Sequence, residues 1–158
     1  MKSIRSSIRA RSTCAVLVGV ALAMTGTLGH AQTETPSLLQ GGKVISAVEA
    51  KGLVDKKSAL FVDTRSAVNF GKGHIPGAKA IPYKGGSENS ADADLSKDQF
   101  DLGKLPAAKD QSVVFYSDGP TGWKSYKAAV MAVKAGHKNV HYMRGGWSEW
   151  SSKGLPVE

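Results

Sequence analysis

The densest group of chemically capable side chains lies in residues 117–125, which separate an apolar run from a helical pattern. The group offers hydroxyl, carboxylate, amine and indole functions. Its members are Ser117, Asp118, Gly119, Pro120, Thr121, Gly122, Trp123, Lys124 and Ser125. A turn from a strand into a helix leaves the first N–H groups of the helix without partners, and such donors bind anions. The segment therefore predicts a small-anion-binding loop. Lys124 adds positive charge to it, whereas Asp118 opposes an anion or takes its place as a helix cap.

Ser117 could in principle act as an oxygen nucleophile. That chemistry needs an adjacent base, and the loop offers only Asp118 and Lys124. The sequence also lacks the G-x-S-x-G turn that presents the serine of many hydrolases. We therefore interpret Ser117 as an inert serine rather than as the nucleophile of a serine hydrolase.

Further candidate residues follow two other apolar runs. Asp63 and Arg65 allow two interpretations: an ion pair that holds the end of a strand, or an Arg65 that faces the pocket and holds an anion. His74 has no nucleophile to pair with, so we predict a structural histidine that bonds a neighbouring backbone or side-chain group. Trp147 and Trp150 are three residues apart, on one face of a helix, which favours a place in the core.

Short apolar runs and helical patterns alternate along the chain. Strands are predicted at residues 43–45, 59–62, 78–81, 112–116 and 139–143. Helices are predicted at residues 47–51, 66–70, 124–135 and 146–153, with one or two helical turns at 96–100 and a surface loop at 83–94. This alternation predicts an α/β fold with a mostly parallel sheet and helices on both faces. Ligands of such sheets bind outside the carboxyl ends of the strands, so the turns after Val62, Tyr116 and Met143 become the candidate site.

The beginning of the chain is typical of a secretory signal peptide. Lys2, Arg5, Arg9 and Arg11 precede a run without charge from 15 to 28, and small residues occupy 29 and 31. The run is shorter than the roughly 20 residues that a membrane span needs, and the arginines are not adjacent as in a twin-arginine signal. We expect residues 1–31 to be a Sec-type signal, 32–41 a flexible mature N-terminus and 42–158 the domain. This predicts a periplasmic or secreted protein that is free of the membrane after cleavage.

Charge and cysteine content narrow the function further. The formal charge is +8, of which +4 remains without the signal, and the lysines are spread rather than clustered. A nucleic-acid surface would need a basic stripe or block, so no nucleic-acid partner is predicted. The only cysteine is Cys14, and the mature chain would therefore hold no thiol, no disulfide and no cysteine-ligated metal. We expect neither a metal nor a cofactor.

Four motifs in order carry a family resemblance. They are FVDTR at 61–65, GHIPGA at 73–78, GGW at 145–147 with Trp150, and GLPV at 154–157. Together they resemble the rhodanese-like domain family over residues 42–157. The resemblance implies a three-layer α/β fold, with a mostly parallel five-stranded sheet flanked by helices.

The same resemblance implies where the family's chemistry would lie. In active rhodaneses the loop after the strand that corresponds to 112–116 begins with a cysteine, whose thiolate and persulfide are stabilised by loop amides and by the helix N-terminus. Ser117 occupies that position here. The loop looks like that of a secreted subgroup with two cysteines, in which Gly122 would take the second position and Lys124 and Ser125 match the residues that enter the helix.

Three functions remain open from the sequence. The favoured one is a secreted rhodanese-like module without sulfurtransferase activity, which binds a small anion, a metabolite or a periplasmic protein through residues 117–125 and Arg65. The alternative is a sulfurtransferase relative with weak or altered chemistry. The third is a structural module within a larger envelope complex.

Export can be tested by mass. We expect cleavage between Ala31 and Gln32, because the charged segment and the uncharged run before that bond meet the requirements of signal peptidase. Intact-mass measurement of the protein from the cell envelope should give a chain that begins at Gln32. A mature protein that still carries Met1 would contradict the prediction.

Overall fold

The structure is a computed structural model, and it describes residues 33–158. The predicted signal segment lies outside the described residues. Within the described part of the chain, no helix combines the length and the apolar character needed to cross a membrane.

Five short strands form one sheet. They are β1 (Lys43–Ile45), β2 (Leu60–Asp63), β3 (Lys79–Ala80), β4 (Val113–Tyr116) and β5 (Val140–Met143). The order across the sheet is β1-β5-β4-β2-β3, and every neighbouring pair is parallel. The predicted five-stranded α/β arrangement is therefore confirmed. Because β5, β4 and β2 are neighbours, the three turns singled out in the sequence meet at one edge of the sheet.

Helices connect these strands. They are α1 (Ala47–Asp55), α2 (Ala67–Gly71), α3 (Trp123–Lys134) and α4 (Gly146–Ser152), with 3₁₀ turns at Leu95–Lys97 and Leu102–Lys104. At the start of α1, Ser46 and Glu49 form a capping box, in which the Ser46 side chain accepts from the Glu49 amide and the Glu49 carboxylate accepts from the Ser46 amide. Hydrogen bonds from Ser46 and then from Lys43 lower the pKa of Glu49 to about 2.

The hydrophobic core has two parts, one on each face of the sheet. On one face, Val113 and Phe115 of β4 pack with Tyr126 and Ala129 of α3. On the other face, Val114 and Tyr116 pack with residues of α1 and with Trp150 of α4. Successive β4 residues alternate between the two faces, and all four are buried. Burial on both faces explains why β4 reads as a continuous apolar run.

Element ends differ from the sequence prediction by a few residues. Helix α1 continues to Asp55 rather than ending at Lys51, and β3 is confined to two residues. The loop between β3 and β4 is not purely superficial, because Tyr83, Ala93 and Asp98 are buried in it. Strand β4 and helix α3, which flank residues 117–122, lie within one residue of their predicted bounds.

Candidate functional site

The loop between β4 and α3 is attached to the start of α4 by its backbone. The carbonyl of Ser117 accepts from the Trp147 amide at 2.8 Å. The carbonyl of Asp118 accepts from the Ser148 amide at 2.9 Å and from the Ser148 hydroxyl at 2.6 Å. Gly146, with φ of +55°, permits this contact, since a Cβ there would lie 2.8 Å from the Gly119 nitrogen.

The hydroxyl of Ser117 is buried and has no hydrogen-bond partner among the described residues. The residue is only 1% exposed. It faces Gly122, where a Cβ would lie 3.2 Å from Ser117 Oγ and 2.8 Å from the Gly119 carbonyl oxygen. Glycine at 122 therefore allows the loop to close over the serine side chain. A buried hydroxyl without a partner is costly, which marks this position as unusual.

A cavity of about 280 Å³ opens beside this serine. It is lined by Asn89, Ser117, Asp118, Thr121, Gly122, Trp123 and Lys124. Six of the seven were singled out in the sequence, and Asn89 was not. Within residues 33–158, no three His, Cys, Asp or Glu side chains come together in a way that could hold a metal ion.

Helix α3 begins at this cavity without a side-chain cap. Its N-cap residue is Gly122, and no side chain within residues 33–158 accepts a hydrogen bond from the first turn. Asp118 therefore does not take the capping role that the sequence left open. The amides of Lys124 and Ser125 have no acceptor among the described residues, whereas the Trp123 amide donates to the Thr121 carbonyl. The open end of the helix thus has a partial positive charge and two N–H groups without an acceptor there, that of the cavity-lining Lys124 and that of the buried Ser125.

The remaining loop residues support its shape. Ser125 is buried and donates its hydroxyl to the Gly122 carbonyl at 3.2 Å. Gly119 is buried, and its carbonyl accepts from the Gly122 amide at 2.8 Å. The carbonyl of Pro120 accepts from Thr35. These three residues do not line the cavity beside Ser117, in contrast to the rest of the segment.

Arg65 lies in a different cavity. Its guanidinium forms a buried ion pair with Asp63, at 2.6 Å between Nη2 and Oδ2, and also donates to the Gly73 carbonyl at 2.8 Å. Burial alone would lower the pKa of Arg65, but the hydrogen bonds and charge of Asp63 raise it above its ordinary value. The guanidinium lies 4.6 Å from the ring centre of Trp147. The structure thus has the ion pair, and it does not bring Arg65 into the Ser117 cavity.

The second cavity measures about 210 Å³. Its lining residues are Arg65, Asn69, Lys72, Gly73, Asp118 and Trp147. Among the residues that the structure describes, Asp118 is the only one that lines both cavities. Trp147 is half-buried at this second cavity, whereas Trp150 is fully buried in the core. The prediction that both tryptophans are core residues is confirmed for Trp150 only.

His74 has the surroundings of a structural residue. Its Nδ1 lies 3.1 Å from the Phe70 carbonyl oxygen, and its ring stacks on that of Phe70 at 3.7 Å between ring centres. Its Nε2 is 4.0 Å from a carboxylate oxygen of Glu158. The predicted hydrogen bond to a neighbouring backbone group is confirmed, and the residue lines neither cavity.

The segment before β1 contacts the loop in a way that the sequence did not indicate. Residues 33–41 were expected to belong to a flexible terminus, yet Thr35 and Leu39 are buried. The amide and hydroxyl of Thr35 both donate to the Pro120 carbonyl at 2.8 Å. The Trp123 indole donates to the Thr33 carbonyl, also at 2.8 Å. No local sequence signal reveals these contacts, because they join residues about 85 to 90 positions apart.

These features define an α/β domain with a cavity of about 280 Å³ at a helix N-terminus that no described side chain caps. The sequence model of the Rhodanese-like domain family matches residues 46–153. The chain therefore belongs to the rhodanese-like domain family.

Two relatives with curated sequences are identical to this chain at close to a third of the aligned positions. The uncharacterized protein YibN of Escherichia coli K12 is 31% identical over 126 residues, which cover 79% of this chain and 78% of YibN. A tRNA uridine(34) hydroxylase of Erwinia tasmaniensis is 30% identical over 122 residues, or 73% of this chain. The match spans only 31% of the hydroxylase.

Solved structures share the fold at lower identity. The BH2092 protein of Bacillus halodurans gives a TM-score of 0.57 at 22% identity, covering 73% of this chain and 76% of that one. A thiosulfate sulfurtransferase of Pseudomonas aeruginosa gives 0.54 at 22% identity, covering 75% of this chain and 20% of the other. These similarities establish the shared fold.

Thr35→Val tests whether the N-terminal segment stabilises the loop. The substitution keeps the side-chain shape but removes the hydroxyl that lies 2.8 Å from the Pro120 carbonyl and 2.7 Å from the Tyr142 hydroxyl. Loss of these buried bonds should lower the free energy of unfolding by about 1–3 kcal/mol in chemical denaturation. Ser37→Ala, at an exposed position of the same segment, should change it by less than about 0.5 kcal/mol. Equal effects of the two substitutions would show that the contact contributes nothing.

Proposed function

We propose that this rhodanese-like domain binds a small oxyanion in the cavity at the N-terminus of α3 and does not transfer sulfur. The observation that carries the proposal is the unpartnered, buried Ser117 hydroxyl beside the uncapped helix end. A bound oxyanion would accept hydrogen bonds from the free helix amides, and in this way it would supply the cap that the chain itself lacks.

Serine at position 117 is the reason why we expect no sulfur transfer. In that reaction a thiolate attacks the outer sulfur of thiosulfate, the S–S bond of thiosulfate breaks, sulfite leaves, and a persulfide remains on the protein. The oxygen of Ser117 cannot carry sulfur in this way, and residues 32–158 contain no cysteine. We further propose export to the periplasm or secretion, which would remove Cys14, the only thiol of the chain, together with residues 1–31.

The charges at the cavity predict weak binding. Lys124 attracts an anion, but Asp118 at the same cavity repels it. Binding energy must therefore come mainly from hydrogen bonds to preorganised donors. We expect a Kd for sulfate of roughly 1 mM, equivalent to about −4 kcal/mol.

A sulfate titration at constant ionic strength tests the binding site. Trp123 lines the cavity and should report binding through its fluorescence. Lys124→Ala should weaken the affinity about fivefold, since Lys124 is exposed and an exposed charge pair contributes up to about 1 kcal/mol. Lys134→Ala removes the same charge at the far end of α3 and should leave the affinity unchanged.

Two results would overturn the anion site. One is the absence of saturable binding by the unsubstituted protein. The other is equal affinity of the unsubstituted protein and Lys124→Ala, since the cation at the cavity would then take no part.

Ser117→Cys tests the explanation for the absent sulfur transfer. The unsubstituted protein should produce no thiocyanate from thiosulfate and cyanide above a boiled control. Because the helix end and loop amides remain, the Ser117→Cys protein should gain the mass of one sulfur atom after thiosulfate treatment. The missing Cβ of Gly122 leaves room for the larger sulfur atom.

Thiocyanate production by the unsubstituted protein would instead support the sulfurtransferase alternative. A Ser117→Cys protein that gains no sulfur would show that the loop cannot stabilise a persulfide.

A further inference from the structure

Two charged side chains are buried beneath the loop that connects β3 and β4. Asp98 is 9% exposed and Lys127 of α3 only 3%. The Lys127 ammonium lies 3.7 Å from Asp98 Oδ2 and donates to the Ser87 hydroxyl at 2.8 Å and to the Ser87 carbonyl at 3.2 Å. Burial of charge is unfavourable without such partners. The three residues therefore form a cluster that joins this loop to α3.

The carboxylate of Asp98 fixes the backbone of the loop as well. It accepts from the amides of Gly86 and Ser87 and from the hydroxyls of Tyr83 and Ser87. Burial would raise the pKa of Asp98, but these hydrogen bonds hold that pKa well below its usual range. Asp98 is thus ionised at neutral pH, and residues 86 and 87 are held by a charged acceptor.

Asn89 lies close to this cluster along the chain. Asn89 follows Ser87 by two residues, and Lys124 lies one helical turn before Lys127 on the same helix. The hydrogen bonds between Lys127 and Ser87 therefore tie the loop to the first turns of α3. Asn89 lines the Ser117 cavity together with Thr121 and Lys124, although it belongs to a separate loop.

We propose that Asn89 is a recognition residue of the oxyanion site and that Ser87, Asp98 and Lys127 are the positioning residues that hold it there. The proposal rests on the oxyanion-binding function inferred above. The Asn89 amide carries two N–H donors and no charge. It adds these two donors to a cavity that the first residues of α3 also line. The cluster holds the backbone of residues 86 and 87, and in this way it limits the positions open to Asn89 and lowers the entropy cost of using it. The site thus recognises an anion with several acceptor oxygens, such as a tetrahedral oxyanion.

Sulfate titrations of substituted proteins test the role of Asn89 directly. Asn89 is exposed, so its substitution should leave the fold intact. Asn89→Ala should weaken sulfate binding about fivefold, and Asn89→Asp at least tenfold, because a carboxylate of the same shape repels the anion. The matched controls are Asn69→Ala and Asn69→Asp at the neighbouring cavity, and these should bind sulfate as the unsubstituted protein does.

A double substitution separates positioning from a general effect on stability. Ser87→Ala removes the side-chain link to Lys127 but keeps the charge pair of Lys127 with Asp98. It should weaken sulfate binding about as much as Asn89→Ala does. If Ser87 acts through Asn89, the doubly substituted protein should bind no more weakly than Asn89→Ala alone. Fully additive losses would overturn the positioning role.

The outcomes distinguish this inference from the proposed function. Saturable sulfate binding that is equal in the unsubstituted protein and in Asn89→Ala would overturn the role of Asn89 and leave the oxyanion site intact. No sulfate binding by the unsubstituted protein would overturn both. Weaker binding by the Asn69 substitutions than by the Asn89 substitutions would place recognition in the other cavity.

Discussion

The close contact between two backbone turns at the carboxyl ends of β4 and β5 is the constraint on which the site depends. The carbonyls of Ser117 and Asp118 accept from the first amides of α4, and Gly146 has no side chain to hold the turns apart. These bonds involve backbone atoms and not the side chain at 117. The loop can therefore keep its shape whether that residue is a serine or a cysteine. The side chain at position 117 determines the chemistry of the loop, whereas backbone atoms determine its conformation.

The strand and the helix that flank the loop depend on local sequence patterns and could be predicted. Strand β4 is buried on both faces, and its unbroken apolar run identified it to within one residue. Helix α3 was predicted from its helical pattern, but the pattern did not show that its buried side includes Ser125, Lys127, Ala128 and Ala132. The reason is that α3 covers the sheet with one side and supports the 83–99 loop with another. Once β4 and α3 are assigned, the turn between them must lie at one edge of the sheet. This is why the loop residues at the cavity could be predicted.

The parts that depend on distant contacts were not predictable. Lys127 reads as an ordinary solvent-facing lysine, and only the packing of the β3–β4 loop reveals its burial. Asn89 lies in a polar, glycine-containing stretch that indicates a surface loop and nothing more. Thr35 seemed part of a flexible terminus, yet its partners are Pro120 and Tyr142. In each case the partners are far apart in sequence, so no period or cap could identify them. Arg65 was assigned to the anion site by its position after β2, but Asp63 and Trp147 hold it in the neighbouring cavity.

The charges around Ser117 explain why we expect hydrogen-bond donors fixed by the fold to contribute more to anion binding than net charge does. In an active rhodanese the anion is part of the protein, since the thiolate or persulfide stands on the loop itself. With serine at 117 that internal charge is absent, and the free amides at the start of α3 have no negative partner of their own. Lys124 and Asp118 bring opposite formal charges to the cavity, so we expect selectivity to come from the geometry of hydrogen bonds rather than from net charge. The start of α3 supplies such donors, and the inferred role of the buried cluster beneath the β3–β4 loop is to position an uncharged donor, Asn89, at the same cavity.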